Sequence, residues 1–220
     1  MLILQDICKR YTPKDGPQIE ALRHMTFSLA AGDFVSIQGP SGCGKSTLLL
    51  VCGGLLSPDH GQVLLADTDV YAQSPNDRAR LRARHIGFVF QQFHLIPYLS
   101  LRDNILSATM ANGCKNAETQ AETLLTRFGL QDRANHLVSA VSIGERQRTA
   151  LARAMVCQPQ LILADEPTGN LDPDNSEVVL HALAEFAEGG GSVLLVTHDP
   201  TTRKYANRHV HMTQGVLQES

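Results

Sequence analysis

One nine-residue stretch constrains this chain more than any other. Gly39-Pro-Ser-Gly-Cys-Gly-Lys-Ser-Thr47 fits the spacing GxxxxGK[ST], follows the apolar run Phe34–Gln38 and opens a helical pattern at Lys45. Glycine has no Cβ, so Gly39, Gly42 and Gly44 let the backbone wrap closely and turn successive N–H groups into one concavity. The helix starting there adds the positive end of its dipole. Lys45 reaches the β- and γ-phosphates of a nucleotide, and the Ser46 hydroxyl is placed to ligate Mg²⁺. Pro40, Ser41, Cys43 and Thr47 complete the cradle. The bland alternative is a Gly-rich turn before a helix. That spacing arises by chance in about one chain in a hundred of this length, and the strand–loop–helix context removes most such cases.

A second apolar run, Leu161-Ile-Leu-Ala164, ends in Asp165 and Glu166. Asp165 is placed to bind Mg²⁺ through water or to hold Ser46. Glu166 follows at a strand end, where ligands sit in open α/β sheets, and can polarise an attacking water. Two acids after a strand can also merely cap a turn; a phosphate loop in the same chain favours the functional reading. His198 ends a third run, Val193–Thr197. A lone His at a strand end is usually structural. Here its strand belongs to the same sheet, so His198 faces the same crevice and can hold Glu166 and a water in line with the γ-phosphate.

The rest of the chain supports an α/β domain with an insertion. Leu2–Lys9, Ala21–Leu29, Gln62–Leu65, Ile86–Phe90 and His209–Met212 read as further strands. Lys45–Leu56, Asn76–Arg84, Leu101–Ala111, Glu118–Phe128, Ile143–Cys157 and Asp174–Glu188 read as helices. Between about Phe93 and Cys157 no strand pattern is convincing. The expected organisation is one domain over 1–220. Its α/β core, 1–91 and 158–220, has a mainly parallel sheet and an N-terminal antiparallel β portion; a helical subdomain, 92–157, is inserted. With 43% hydrophobic residues the chain can bury a core. A net charge of −3 argues weakly against nucleic acid as a partner. Five cysteines without a CxxC pair fit neither a disulfide framework nor a zinc ribbon. No apolar stretch is long enough to cross a membrane, and MLILQDICKR runs straight into charge, unlike a signal peptide. Any membrane part is therefore expected from another chain.

Between the phosphate loop and the acid pair lies Val141-Ser-Ile-Gly-Glu-Arg-Gln-Arg148. It resembles the LSGGQ-type signature of ABC-transporter ATPases, and the order of motifs along essentially the whole chain is similar to that family's. The resemblance implies a RecA-like P-loop NTPase core, ATP and Mg²⁺ as ligands, and ATP hydrolysis. It makes Tyr11 the aromatic that stacks on adenine. Gln91 becomes the glutamine that touches Mg²⁺ and senses the membrane partner, and Asp172, in Gly169-Asn-Leu-Asp172, lies in the loop that crosses a dimer interface. Ser142, Gly144 and Glu145 then meet the γ-phosphate held by a second copy, so that ATP joins a head-to-tail dimer. Ser142-x-x-Glu145 is also a capping box, which holds in the monomer regardless. The implied partners are a second copy and a separate integral-membrane permease, with no nucleic acid, and the implied location is the cytoplasmic face of the cell membrane. Phe88–Pro97 and Ala164–Asp172 resemble the branch with lipoprotein-releasing, macrolide-exporting and cell-division ATPases, which favours export or extraction.

Two departures carry their own expectations. Ile143 stands where the signature has glycine; it either crowds the neighbouring phosphate donors or packs harmlessly on the helical insertion. Cys43, beside Lys45 and a helix N-terminus, is either a redox-sensitive thiol or a small residue that fits. An apolar patch at Phe93, Leu95, Ile96 and Leu99 is expected to face the permease. The competing functions are a soluble ABC-type ATPase in translation or DNA repair, a cell-division signalling ATPase, or a small-molecule P-loop kinase. The last explains neither the signature nor His198. The sequence does not identify the cargo.

Overall fold

A computed structural model describes residues 1–13, 16–111 and 113–219. The chain runs β1 (Leu2–Tyr11), β2 (Ile19–Leu29), β3 (Phe34–Gln38), α1 (Lys45–Cys52), β4 (His60–Leu65), β5 (Thr68–Asp69), α2 (Pro75–His85) and β6 (Ile86–Val89). It continues through α3 (Leu101–Ser107), α4 (Ala117–Arg127), α5 (Ile143–Met155), β7 (Leu161–Asp165), α6 (Pro173–Glu188), β8 (Ser192–Thr197), β9 (Arg208–Thr213) and β10 (Val216–Glu219).

Two sheets result. The antiparallel one has the order β2-β1-β4-β5, and the other β10-β9-β3-β8-β7-β6. In the second sheet β9, β3, β8, β7 and β6 are parallel, and β10 pairs antiparallel to β9. The central strands β3, β7 and β8 are buried on both faces, as their unbroken apolar runs require. Val35, Ile37, Leu161, Leu163, Leu194 and Val196 pack with α1 and the antiparallel sheet. Their neighbours Phe34, Ile162, Ala164, Val193 and Leu195 pack on the other side, against α6 and the helical segment. Within 92–157 the described residues form no ladder, only an isolated bridge between Ser100 and Leu137. α5 turns Gln147, Ala150, Leu151, Ala154 and Met155 inward, a stripe at helical spacing.

Three sequence expectations need correction. The first helix stops at Cys52 rather than Leu56, because Gly53 caps it and the next residue, Gly54, takes a positive φ. The expected helix Leu101–Ala111 is α3 followed by a 3₁₀ turn over Ala108–Ala111. Two strands beyond those expected, β5 and β10, are short, and each forms a hairpin with its predecessor.

Candidate active site

The phosphate loop leaves the carboxyl end of β3 and turns into α1. At Gly44 φ is +111°, and a Cβ there would stand 2.2 Å from the Ala21 carbonyl oxygen, so only glycine fits. The Lys45 ammonium lies back over the loop, donating to the carbonyl oxygens of Gly39 at 2.8 Å and Pro40 at 3.0 Å. Phosphate oxygens entering the concavity would replace weak neutral acceptors with charged ones. The Cys43 side chain is turned into the core with Val35, Ile37 and Leu48, only 6% exposed, which is the small residue that fits rather than an accessible thiol.

A cleft of 680 Å³ opens beside this loop. Gly39, Pro40, Ser41, Gly42, Gly44, Lys45, Ser46 and Thr47 line it, together with Tyr11, Gln91, Asp165, Glu166 and His198. The Tyr11 hydroxyl lies 3.4 Å from Thr47 Oγ1, which ties the end of β1 to α1. Asp165, at the end of β7, accepts a hydrogen bond from Ser46. Burial pushes its carboxyl above the usual carboxylate range, and the Glu166 charge adds to the push; the Ser46 bond and Lys45 oppose it. A half-buried carboxylate in contact with a serine hydroxyl fits a small divalent cation, which would favour the ionised form.

Glu166 sits in the left-handed region, φ +47°, with its N–H on the Val196 carbonyl at 2.9 Å. Such a backbone costs a side-chain-bearing residue about 1–3 kcal/mol. The strained turn aims the carboxylate across to β8. There Oε2 accepts from the Thr197 hydroxyl at 3.2 Å, the His198 N–H at 3.3 Å and His198 Nδ1 at 2.9 Å. With Nδ1 holding the carboxylate, Nε2 is the ring nitrogen left for a ligand. Gln91 follows β6 on the other side, its carbonyl accepting from Asn170 Nδ2 at 3.5 Å.

The signature residues are placed elsewhere. None of residues 142–145 lines the cleft. Ser142 caps α5 by accepting from the Glu145 N–H at 3.2 Å, and Glu145 Oε2 accepts from the Ser142 N–H at 2.7 Å. That N–H holds the Glu145 carboxyl below its ordinary value. Gly144 is packed so closely on Asn175 that a Cβ would fall 2.4 Å from its Oδ1. Asn175 in turn donates through its backbone and side chain to Asp172, the N-cap of α6, at 2.8 and 2.7 Å. Arg148 donates to the same Asn175 oxygen. Ile143, the first residue of α5, is half-exposed.

The comparisons with known proteins agree with this geometry. The family described as ABC transporter matches residues 22–169. The chain belongs to the ABC transporter family, as an ATP-binding subunit. It is 40% identical to an uncharacterized ABC transporter ATP-binding protein, YvrO, from Bacillus subtilis (strain 168), covering 99% of this chain and 95% of that one. It is 38% identical to the lipoprotein-releasing system ATP-binding protein LolD 1 of Rhodopirellula baltica, covering 99% and 96%. The macrolide export ATP-binding/permease protein MacB of Syntrophobacter fumaroxidans is 40% identical; 99% of this chain matches 31% of that longer protein. Among solved structures, a dimeric post-hydrolysis state of the ATP-binding cassette MJ0796 bound to ADP and Pi superimposes with a TM-score of 0.90 at 33% identity, covering 100% and 98%. ABC ATPases of this family bind nucleotide and hydrolyse ATP, and this cassette shares their fold.

Three side chains that organise the cassette were not singled out in the sequence. Thr197 acts on Glu166, 31 positions away, and Asn175 on Gly144, also 31 positions away, and on Asp172, three positions away. Arg153, near the end of α5, donates to the carbonyl oxygens of Phe93 and His94, both at 2.6 Å, where both residues have positive φ. Only Thr197 carried a readable signal, as the last residue of the run before His198. Of the expected apolar patch, Phe93, Leu95, Ile96 and Leu99 are each partly buried, and Tyr98 within the same stretch is exposed.

Proposed function

We propose that this ABC cassette acts as a head-to-tail homodimer that drives a separate integral-membrane permease from the cytoplasmic face of the cell membrane. The observation that carries the proposal is the separation of the two phosphate-binding helix ends. In one chain the cleft holds the phosphate loop, while the capped end of α5, with half-exposed Ile143, stands outside it. A second copy related by a two-fold axis brings that end to the first copy's nucleotide, giving two equivalent sites. In each, Tyr11 stacks on adenine and Lys45 contacts the terminal phosphates. Ser142, Gly144 and Glu145 of one copy then face the nucleotide of the other, with Ile143 beside them and Asp172 at the interface. Ser46, Asp165 and Gln91 would hold Mg²⁺, which supplies charge neutralisation at the phosphate oxygens. Glu166, fixed by Thr197 and His198, orients the attacking water and accepts its proton.

A groove of 380 Å³ between α2, β6 and the helical segment, lined by Arg82, Phe88, Phe90, Ala108, Ala111 and Arg153, is the surface offered to the permease. Similarity to LolD and MacB favours export or extraction of a substrate from the membrane. The test is Glu166→Gln. The variant is expected to bind ATP, to become dimeric in saturating Mg-ATP by light scattering, and to lose about 10²–10⁴ in turnover. A monomer that binds ATP normally would overturn the dimer. Purification from solubilised membranes is expected to bring an integral-membrane chain along.

A further inference from the structure

We infer that the antiparallel sheet carries a second metal site, for a zinc-class transition-metal ion, built from Asp6, Cys8, His24 and His60. Two bulges create it. The pairing of β1 with β2 passes from Leu4–Phe27 to Ile7–Met25, three residues against two, which places an extra residue at Asp6. It then passes from Ile7–Met25 to Lys9–Leu22, two against three, which places one in β2 at the turn containing His24. Asp6 and His24 both have positive φ, +52° and +43°.

These bulges bring three unlike donor atoms together. A carboxylate oxygen of Asp6, Cys8 Sγ and a ring nitrogen of His24 all lie within 4.8 Å of one another. Asp6 Oδ1 is 2.7 Å from His24 Nδ1, and Asp6 Oδ2 is 3.1 Å from His60 Nε2. His60 is the registered partner of Cys8 across β1 and β4. Bond lengths of about 2.0–2.3 Å in a tetrahedral zinc site set ligand-to-ligand separations near 3.3–3.8 Å, so Asp6, Cys8 and His24 need only small side-chain rotations, while His60, now on Asp6 alone, swings further to complete the set. Cys8 is buried beneath the other three, which are exposed, so an ion would enter from solvent and cap the thiol. The two imidazoles bind neutral; the thiol binds as thiolate and releases its proton to water.

The donor set decides which metal. One thiolate, two imidazoles and one carboxylate select zinc and its soft or borderline neighbours, whereas Mg²⁺ prefers oxygen alone. The ion therefore does not compete with the one expected at Ser46 and Asp165. It would tie β1 to β2 and β4 three residues before Tyr11, at the adenine end of the cleft.

Co²⁺ is the probe, because a cobalt–thiolate bond absorbs in the near ultraviolet and tetrahedral Co²⁺ absorbs strongly in the visible. Nucleotide-free full-length protein, reduced and anaerobic, is titrated in excess Mg²⁺. Both bands are expected to saturate at one Co²⁺ per chain and to vanish when Zn²⁺ is added. Cys8→Ser and His24→Ala each should abolish the thiolate band, while Cys43→Ser should retain it. His60→Ala should weaken binding by about 10-fold or more. His24 is exposed, so its variant reports on the site even if Cys8→Ser folds poorly. Absence of the thiolate band, or its survival in His24→Ala, overturns the site. An unchanged affinity in His60→Ala overturns the four-ligand assignment.

Discussion

Burial of Asp165 makes its charged form costly to the nucleotide-free fold. Burial raises its folded-state pKa above the unfolded value. A carboxyl with a raised pKa contributes stability that is fully present below the unfolded pKa and is lost as pH rises through the folded one. Above that window the charge is a liability until a cation arrives. Asp165→Asn keeps an acceptor for Ser46 and removes the charge. At pH 7 the nucleotide-free variant is expected to melt higher than the parent. The gain should vanish below about pH 3.5, where the unfolded carboxyl is protonated too. Mg-ATP should raise the melting temperature of the parent more than that of the variant. Scanning calorimetry across pH checks all three; a variant that melts lower at pH 7 would show that the charge is not the dominant cost.

At the scale of elements, α5 joins the helical segment to the core, packing against α3, α4, α6 and β6. Its 13 residues span about 20 Å, with the Ser142–Glu145 capping box at one end and Arg153 near the other. Arg153 holds the corner at Phe93 and His94, two residues with strained backbones, just past Gln91. Arg153→Ala removes two charge-assisted hydrogen bonds and is expected to cost about 2–3 kcal/mol in urea unfolding. Hydrogen exchange should show faster exchange at residues 93–95 while α5 stays protected; unchanged exchange there would mean the corner is held by something else. Much of this architecture was legible beforehand. The strands β3, β7 and β8 announced themselves because both their faces are buried, and the phosphate loop, Asp165, Glu166 and His198 because each motif is contiguous or ends a strand. The links made by Arg153, Thr197 and Asn175 were not legible. Arg153 to Phe93 and His94, Thr197 to Glu166 and Asn175 to Gly144 each join positions far apart in the chain, and no local pattern records such a pairing. β5 and β10 escaped notice because a two-residue and a four-residue strand have too little periodicity to read.

For the whole molecule, the proposed two-fold dimer makes a prediction that a self-contained site does not. If each site takes its phosphate loop from one copy and Ser142 from the other, Lys45→Ala and Ser142→Ala damage both sites in their own homodimers. In a mixed dimer the two defects fall in the same site and leave the other intact. An equimolar mixture is expected to regain ATPase activity up to about a quarter of the wild-type rate, since half the dimers are mixed and each has one good site. Activity equal to the mean of the separate variants would exclude shared sites. Within each copy, Asn175 fastens the end of α5 to the turn holding Asp172. In the proposed dimer the first approaches the partner's ATP and the second lies along the seam between the two ATPs. One amide thus makes them a single cog. In that dimer, an ATP that drew in Ser142 would pull on the seam beside the other ATP through the same amide.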